Sequence, residues 1–499
     1  MAKTIVLFPC MAQGHIIPFL ALALKLEHKN KDNKIMIVNT PLNIKKLKFS
    51  LPPHSSITLL EIPFNSSNHS LPPNIENTDS IPYHLVIKLL QATNSLKPTF
   101  TKLIQNIQQQ HQNQKIVIIS DLFFGWTATV AKDLGVFHVI FSGSGGYGLA
   151  CYFSLWVNLP HRHVDSDEFT LPDFPEARVI HRTQLPVNIA EADGKDAWSL
   201  FQHDNFSQWS NSDGILLNTV QEFDSVGLDY FTRKLNVPVW AIGPVVLSTG
   251  SGSRGKGGGI EPELCLEWLN TKPLNSVLFV CFGSMNTISV SQMMELAIAL
   301  EKSEKNFVWV VRPPIGFDIN SEFRQNEWFP QGFMEKILEG NKGLIVYDWA
   351  PQVEVLKHGS VCAFLSHCGW NSVVESLSHG VPILGWPMAA EQFYNCKYLE
   401  EEVGVCVEVA RGKRCEVKHE DIVDKILLVM GESEKGIKMR KKVGEIRDMI
   451  KDAVKDEDGF KGSSVRALDE FLSVAATSIE DKTFDQSSVV SNQVDVLHH

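Results

Sequence analysis

Two residues far apart in the 499-residue chain, His15 and Asp121, have the types and the placement for proton transfer. His15 lies in the turn Gly14-His15 after an apolar strand, Thr4 to Pro9, and Asp121 follows a second strand, Lys115 to Ser120. In a parallel sheet the carboxyl ends of the strands share one edge. A carboxylate there can hold an imidazole in one tautomer and stabilise its protonated form, which makes a general base worth about 10²- to 10⁴-fold in rate. The plainer reading is a loop histidine that opens a helix and an aspartate that caps another near Thr127. The pairing of the two favours the base.

A second group occupies Trp349 to Gln392. Leu344 to Trp349 reads as a buried strand, and Pro351 bars its continuation. Val361 to Ser366 is another strand, leading through His367-Cys368-Gly369-Trp370-Asn371-Ser372 into a helical pattern. A helix N-terminus offers free N–H groups and a partial positive charge, so phosphate is its natural guest. Trp349 is either a core aromatic or a stacking platform for a flat base. Ser372 and Glu375 have the spacing of a capping box, and Glu375 equally suits a ribose diol. Gly283-Ser284, at the end of the strand Ser276 to Phe282, is either turn chemistry or a hydroxyl donor to phosphate. The glycine fingerprints of dinucleotide and ATP sites do not occur at any strand-to-helix turn, which weakens both readings.

Alternating strands and helices position these groups. Strands at Lys34 to Asn39, Phe137 to Phe141, Gly214 to Asn218 and Val239 to Ile242 join the two already named, with helices over Gly14 to Leu26, Leu85 to Gln109 and Thr127 to Leu134. Pro18 suits the first turn of its helix. Pro160 to Leu200 reads as excursion loops. Thr249 to Gly259 is a flexible tether, and beyond it Phe307 to Val311, Val381 to Trp386 and Val405 to Val409 extend a second series. The fold class is therefore α/β, with two Rossmann-like doubly wound domains facing across a cleft. The divisions are 1–248, a linker 249–260, a second domain 261–456, a C-terminal helix 457–476 returning to the first domain, and a disordered tail 477–499.

A net charge of −11 and the lack of a basic, aromatic-rich patch exclude nucleic acid and an anionic membrane as main partners. No apolar run approaches about 18 residues and no signal-peptide grammar opens the chain, so no membrane insertion is expected. Nine cysteines with no CxxC pair read as reduced thiols of a cytoplasmic protein, without a disulfide framework or a zinc site.

Taken whole, Trp349 to Gln392 resembles the donor-binding signature of plant family 1 UDP-glycosyltransferases. WAPQ opens it, HCGWNS and Glu375 fill the middle, and Pro387 with Glu391-Gln392 closes it. The N-terminal Gly-His, Ser120-Asp121, Phe282 to Ser284 and the helix near the C-terminus carry the likeness along the chain. The resemblance implies the GT-B fold, with Trp349 stacking on uracil, the Ala350 main chain and Gln352 holding the uridine, and Glu375 taking the ribose hydroxyls. It gives the diphosphate to His367, Asn371, Ser372 and Ser284, and the sugar hydroxyls to Trp370, Glu391 and Gln392. Gln392 is the glucose-type residue, a histidine being associated with galactose; Glu391 stands where aspartate is commoner. Ser142 and Ser144 both fit a hydroxyl contact to the donor.

The expected reaction is inverting transfer of glucose from UDP-glucose to a hydroxyl of a small lipophilic acceptor by a monomer, with UDP-glucose as donor substrate, no cofactor, and no metal because no Asp-x-Asp motif accompanies the donor region. Phe123, Phe124, Trp126, Tyr147, Phe153 and Trp156 are candidates for the acceptor wall. The rivals are transfer of another UDP-sugar, a nucleotide-dependent epimerase or oxidoreductase, and a carrier that only holds a nucleotide sugar.

Overall fold

Short apolar runs, buried on both faces, build two parallel sheets. The computed structural model describes residues 3–112, 114–245 and 260–491, apart from the side chains of Ser80 and 478–491. The first sheet takes β1 (Lys3–Phe8), β2 (Lys34–Asn39), β3 (Thr58–Glu61), β4 (Lys115–Asp121) and β5 (Phe137–Ser142). β6 (Glu168–Thr170) and β7 (Val179–His181) pair antiparallel within the expected loop region. β8 (Gly214–Leu217) and β9 (Val239–Ala241) complete the first sheet in the order β3-β2-β1-β4-β5-β8-β9. β1 and β4 run in register with Phe8 beside Ser120, so their C-terminal ends open on one edge.

The second sheet takes β10 (Val277–Cys281), β11 (Asn306–Val311), β12 (Gly343–Tyr347), β13 (Val361–Ser366), β14 (Ile383–Gly385) and β15 (Cys406–Glu408). Its order is β12-β11-β10-β13-β14-β15, again parallel throughout. Apolar packing passes without a break from the helices of the first sheet, through Tyr147 and Phe174, to Trp370, Tyr394 and Tyr398 of the second. The tether at 249–260 lies almost wholly outside the described residues.

Four local expectations change. β12 stops at Tyr347, because Asp348 takes a left-handed φ of 63° and turns Trp349 out of the ladder. The helix expected over Leu85 to Gln109 is two, Tyr83–Ala92 and Lys97–Gln110, with Pro98 in the first turn of the second. The first helix is Gln13–Lys29, which leaves Pro18 inside it and not in its first turn. The final helix runs Ser463–Ser491, past the point where disorder was expected; no Gly or Pro interrupts 464–491. That helix lies on the first sheet, with Phe471 against Phe137 and Trp240 and Ser464 Oγ donating to the Gly243 carbonyl at 2.6 Å. Among the described residues no helix is long and apolar enough to cross a membrane.

Candidate active site

β1 and β4 deliver His15 and Asp121 to the same edge, where His15 Nδ1 and Asp121 Oδ2 lie 2.8 Å apart. Asp121 is 1% exposed and His15 25% exposed, so the carboxylate is sheltered while the imidazole reaches the cleft. Phe123 N–H donates to Asp121 Oδ1 at 3.1 Å and fixes the carboxylate plane. The capping alternative fails: the helix Trp126–Asp133 starts at Gly125 with no side-chain cap. Burial disfavours the His15 imidazolium, but the charge and hydrogen bond of Asp121, joined by the Glu391 charge, outweigh it and raise the pKa. With Nδ1 engaged, Nε2 is the nitrogen open to a substrate.

Across the cleft the turn after β13 leads to the helix Trp370–Ser378, whose N-cap is Gly369 without a side-chain cap. Ser372 is therefore inside the helix, and the capping box is not formed. The first-turn N–H groups are left for an anion. Gln352 Nε2 donates to Ser372 Oγ at 3.0 Å and to Glu375 Oε2 at 2.7 Å, which gathers the half-buried Gln352 and the buried Ser372 and Glu375 into one polar cluster. Trp349 is half-buried, and Ala350 beside it is buried.

His367 stands between Gly283 and Gly369, where a Cβ would lie 2.6 Å and 2.5 Å from its Nε2. Burial, with Arg312 and Lys413 nearby, holds its pKa down at about 4, so it is neutral at pH 7. Gly283 has φ +78°, and the exposed Ser284 follows it. Gln392 Oε1 accepts from the N–H groups of Met388 and Ala389, both at 3.0 Å, which leaves its amide NH₂ to donate. Ser144 Oγ lies 3.4 Å from Glu391 Oε1, whereas Ser142 is fully buried and accepts from Ser144 N–H; Ser144 is the one of the two that reaches the second domain. Burial raises the Glu391 pKa.

Two expected donor contacts are spent on joining the domains. Trp370 Nε1 donates to the Asn218 carbonyl at 2.8 Å, and its ring stacks on Phe223, so the indole is unavailable to sugar hydroxyls. Asn371 Nδ2 donates to the Gly14 carbonyl at 3.1 Å, while its Oδ1 accepts from Asn218 Nδ2 at 3.3 Å. Pro18 explains why Gly14 is available: a residue with an N–H at position 18 would bond that carbonyl within the helix. The proline thus frees the acceptor next to His15 for the opposite domain.

Of the candidate acceptor aromatics only Phe123 lies at the site, its ring 5.4 Å from that of His15. Phe124 and Trp126 pack with Phe8, Phe153 with Phe206, and Tyr147 with Tyr398, all as core. Trp156 is buried behind Trp198. Phe201 packs beside Phe123, and Trp198 stacks against the exposed Tyr83.

This geometry has close counterparts. A family model for UDP-glucoronosyl and UDP-glucosyl transferases matches residues 261–430, and one for the glycosyltransferase N-terminal domain matches 2–246. UDP-glycosyltransferase 92A1 of Arabidopsis thaliana is 53% identical over 94% of this chain and 96% of its own. The chain belongs to the UDP-glycosyltransferases. Crocetin glucosyltransferase 3 of Crocus sativus is 41% identical, covering 87% of this chain and 92% of its own. A Phytolacca americana glycosyltransferase solved with UDP-2-fluoro-glucose and pterostilbene superposes with a TM-score of 0.75 at 28% identity, covering 95% of this chain and all of its own. The two-domain GT-B fold is thereby established.

Three residues of this UDP-glycosyltransferase escaped sequence reasoning. Arg312, just past β11, donates to the Asp348 carbonyl through Nε at 3.1 Å and to the Gly283 carbonyl through a second nitrogen, pinning the Trp349 and Ser284 turns together. Lys413 places a second cation near His367. Asn218 holds both domains from the end of β8. An arginine directly after a buried strand was the one visible signal; the other two depend on tertiary contacts.

Proposed function

We propose that this enzyme transfers glucose from UDP-glucose to a hydroxyl of a small lipophilic acceptor, with inversion at the anomeric carbon to give a β-glucoside. The observation that carries the reading is the His15–Asp121 pair, with Nδ1 tied to a sheltered carboxylate and Nε2 free at the cleft edge. His15 Nε2 would take the acceptor proton as the oxygen attacks the face opposite UDP. The C1–O bond to the diphosphate breaks through an oxocarbenium-like transition state.

Trp349 would stack on uracil, with Gln352 and Glu375 on the ribose. The diphosphate would meet the free N–H groups of the helix Trp370–Ser378, with Ser372, Ser284 and neutral His367 as further donors and Arg312 and Lys413 as nearby positive charge. Gln392 and Glu391 would bind sugar hydroxyls, and Ser144 would approach from the first domain. These charges suffice for a reaction that needs no divalent ion. Phe123, Phe201 and Trp198 favour an apolar acceptor, in line with the pterostilbene of the Phytolacca americana complex. Nine free thiols suit a cytoplasmic site of action.

The test is a panel of phenolic, flavonoid and terpenoid alcohols incubated with UDP-glucose and with UDP-galactose, in EDTA, and read by mass spectrometry and anomeric proton coupling. β-Glucosides formed from UDP-glucose support the reading. Preferential use of UDP-galactose, an α-linked product, or turnover restored only by a divalent metal would refute the corresponding part.

A further inference from the structure

Three cysteines that sequence spacing leaves scattered come together behind the donor turn. Cys368 follows β13 directly after His367, Cys396 lies on the helix Gln392–Lys397, and Cys406 opens β15. All three are buried, and their sulfurs lie within 4.8 Å of one another, with Cys396 and Cys406 at 3.8 Å. Among the described residues they form the one cluster of three potential metal-ligating side chains. They surround the end of β14, where a Cβ on Gly385 would lie 2.4 Å from Cys396 Sγ, 3.0 Å from Cys406 Sγ and 3.2 Å from Cys368 Sγ. Glycine at 385 is what lets the thiols converge. An open surface cavity of about 570 Å³ reaches Cys406, between Gly404 and Met439, with Lys435, Lys438 and Lys442 along it.

We propose that Cys368, Cys396 and Cys406 form a trigonal three-sulfur site for a trivalent arsenical, and that its occupation disables the donor site. Sulfur bonds of about 2.3 Å to a central atom set three sulfurs at most about 4 Å apart. The 3.8 Å pair already meets that, and the third sulfur has under about 1 Å to move.

Charge selects the guest. A divalent cation held by three thiolates leaves a net negative charge in an apolar interior, and structural zinc takes a fourth ligand that this cluster lacks. All three thiols are buried, so a site that carries no charge is favoured. Arsenous acid keeps it neutral: three As–O and three S–H bonds break, three As–S and three O–H bonds form, and three waters leave. Arsenic stays trivalent, and no oxidant or reductant is required.

The donor site is coupled through the backbone. Asn395, adjacent to Cys396, donates through Nδ2 to the Cys368 carbonyl at 3.0 Å, and Cys396 shares its short helix with Gln392. Drawing the sulfurs together shifts the His367-Cys368-Gly369 turn against Gln392. UDP and arsenic should therefore antagonise each other reciprocally. The inhibition arm of the test rests on the glucosyl-transfer reading; the binding arm does not.

The test incubates the full-length reduced protein with arsenite, with and without UDP. Native mass spectrometry should find one arsenic per chain with loss of three protons, and alkylation mapping should find Cys368, Cys396 and Cys406 protected. Cys396→Ala and Cys406→Ala should each weaken uptake at least tenfold, Cys415→Ala should not, and UDP should slow uptake. Transfer activity should fall with occupancy and return with a small dithiol. Unchanged uptake in both variants, protection of other cysteines, or no arsenic on the wild-type chain would overturn the proposal, and the wild-type map decides the matter even if a variant fails to fold.

Discussion

In the proposed mechanism His15 acts as a base only while it is neutral, and its raised pKa sets the pH at which that form appears. The acid limb of kcat/KM should lie above the ordinary histidine value of about 6.5. Asp121→Asn removes the stronger of the two negative charges that raise it, so the limb should move to lower pH while kcat falls. Glu391→Gln should move it the same way by a smaller step. Limbs that coincide with the wild type in both variants would remove the electrostatic account. At the other end of the cleft, Trp349→Ala should weaken UDP binding by on the order of 1–3 kcal/mol, measured by calorimetry. The pairing of His15 with Asp121 was readable because strand ends in a parallel sheet converge. The interdomain bonds of Trp370 and Asn371 were not readable, because nothing local reveals that a side chain is taken up by the opposite domain.

At the scale of elements, Pro18 joins helix geometry to the site. Inside the helix Gln13–Lys29 it sacrifices one bond, and the freed Gly14 carbonyl docks Asn371. Pro18→Ala restores a helical N–H that competes with Asn371. The variant should be as stable as wild type or more so, since proline in a helix interior is unfavourable, yet turn over more slowly. Asn371→Ala should slow turnover as well, at a stability cost of about 0.5–1.5 kcal/mol. Paired thermal melts and kcat measurements check this, and a Pro18→Ala enzyme with unchanged kcat would contradict it. The strands expected from apolar runs lie within two residues of their observed bounds, but β3, β6 and β7, short and only partly buried, were not expected. The split at Pro98, the missing capping box and the turn that displaces Trp349 were not legible, because each depends on where a helix or strand stops.

Across the whole molecule, three buried imidazoles titrate far below their ordinary value: His138 at about 3, and His161 and His367 at about 4, each because burial disfavours its charge. The unfolded chain takes up those protons near pH 6.5 and the folded chain does not. Stability must then fall as pH drops from about 6.5 towards 4, by up to about 1.4 kcal/mol per unit for each histidine. Asp224, raised by burial to about 6, works in the opposite sense over part of that range. His138→Gln should flatten the slope of unfolding free energy against pH, and an unchanged slope would show that its burial as a neutral group is not what limits acid stability.

The same assembly sets His15, the base we propose, beside the second domain, whose Asn371 bonds to the neighbouring Gly14. His15→Ala tests that directly. Calorimetric titration with UDP should give an affinity close to wild type, while glucosyl transfer to the best acceptor of the panel falls by about 10²- to 10⁴-fold. Transfer at the wild-type rate with UDP binding intact would contradict the assignment of His15 as the base.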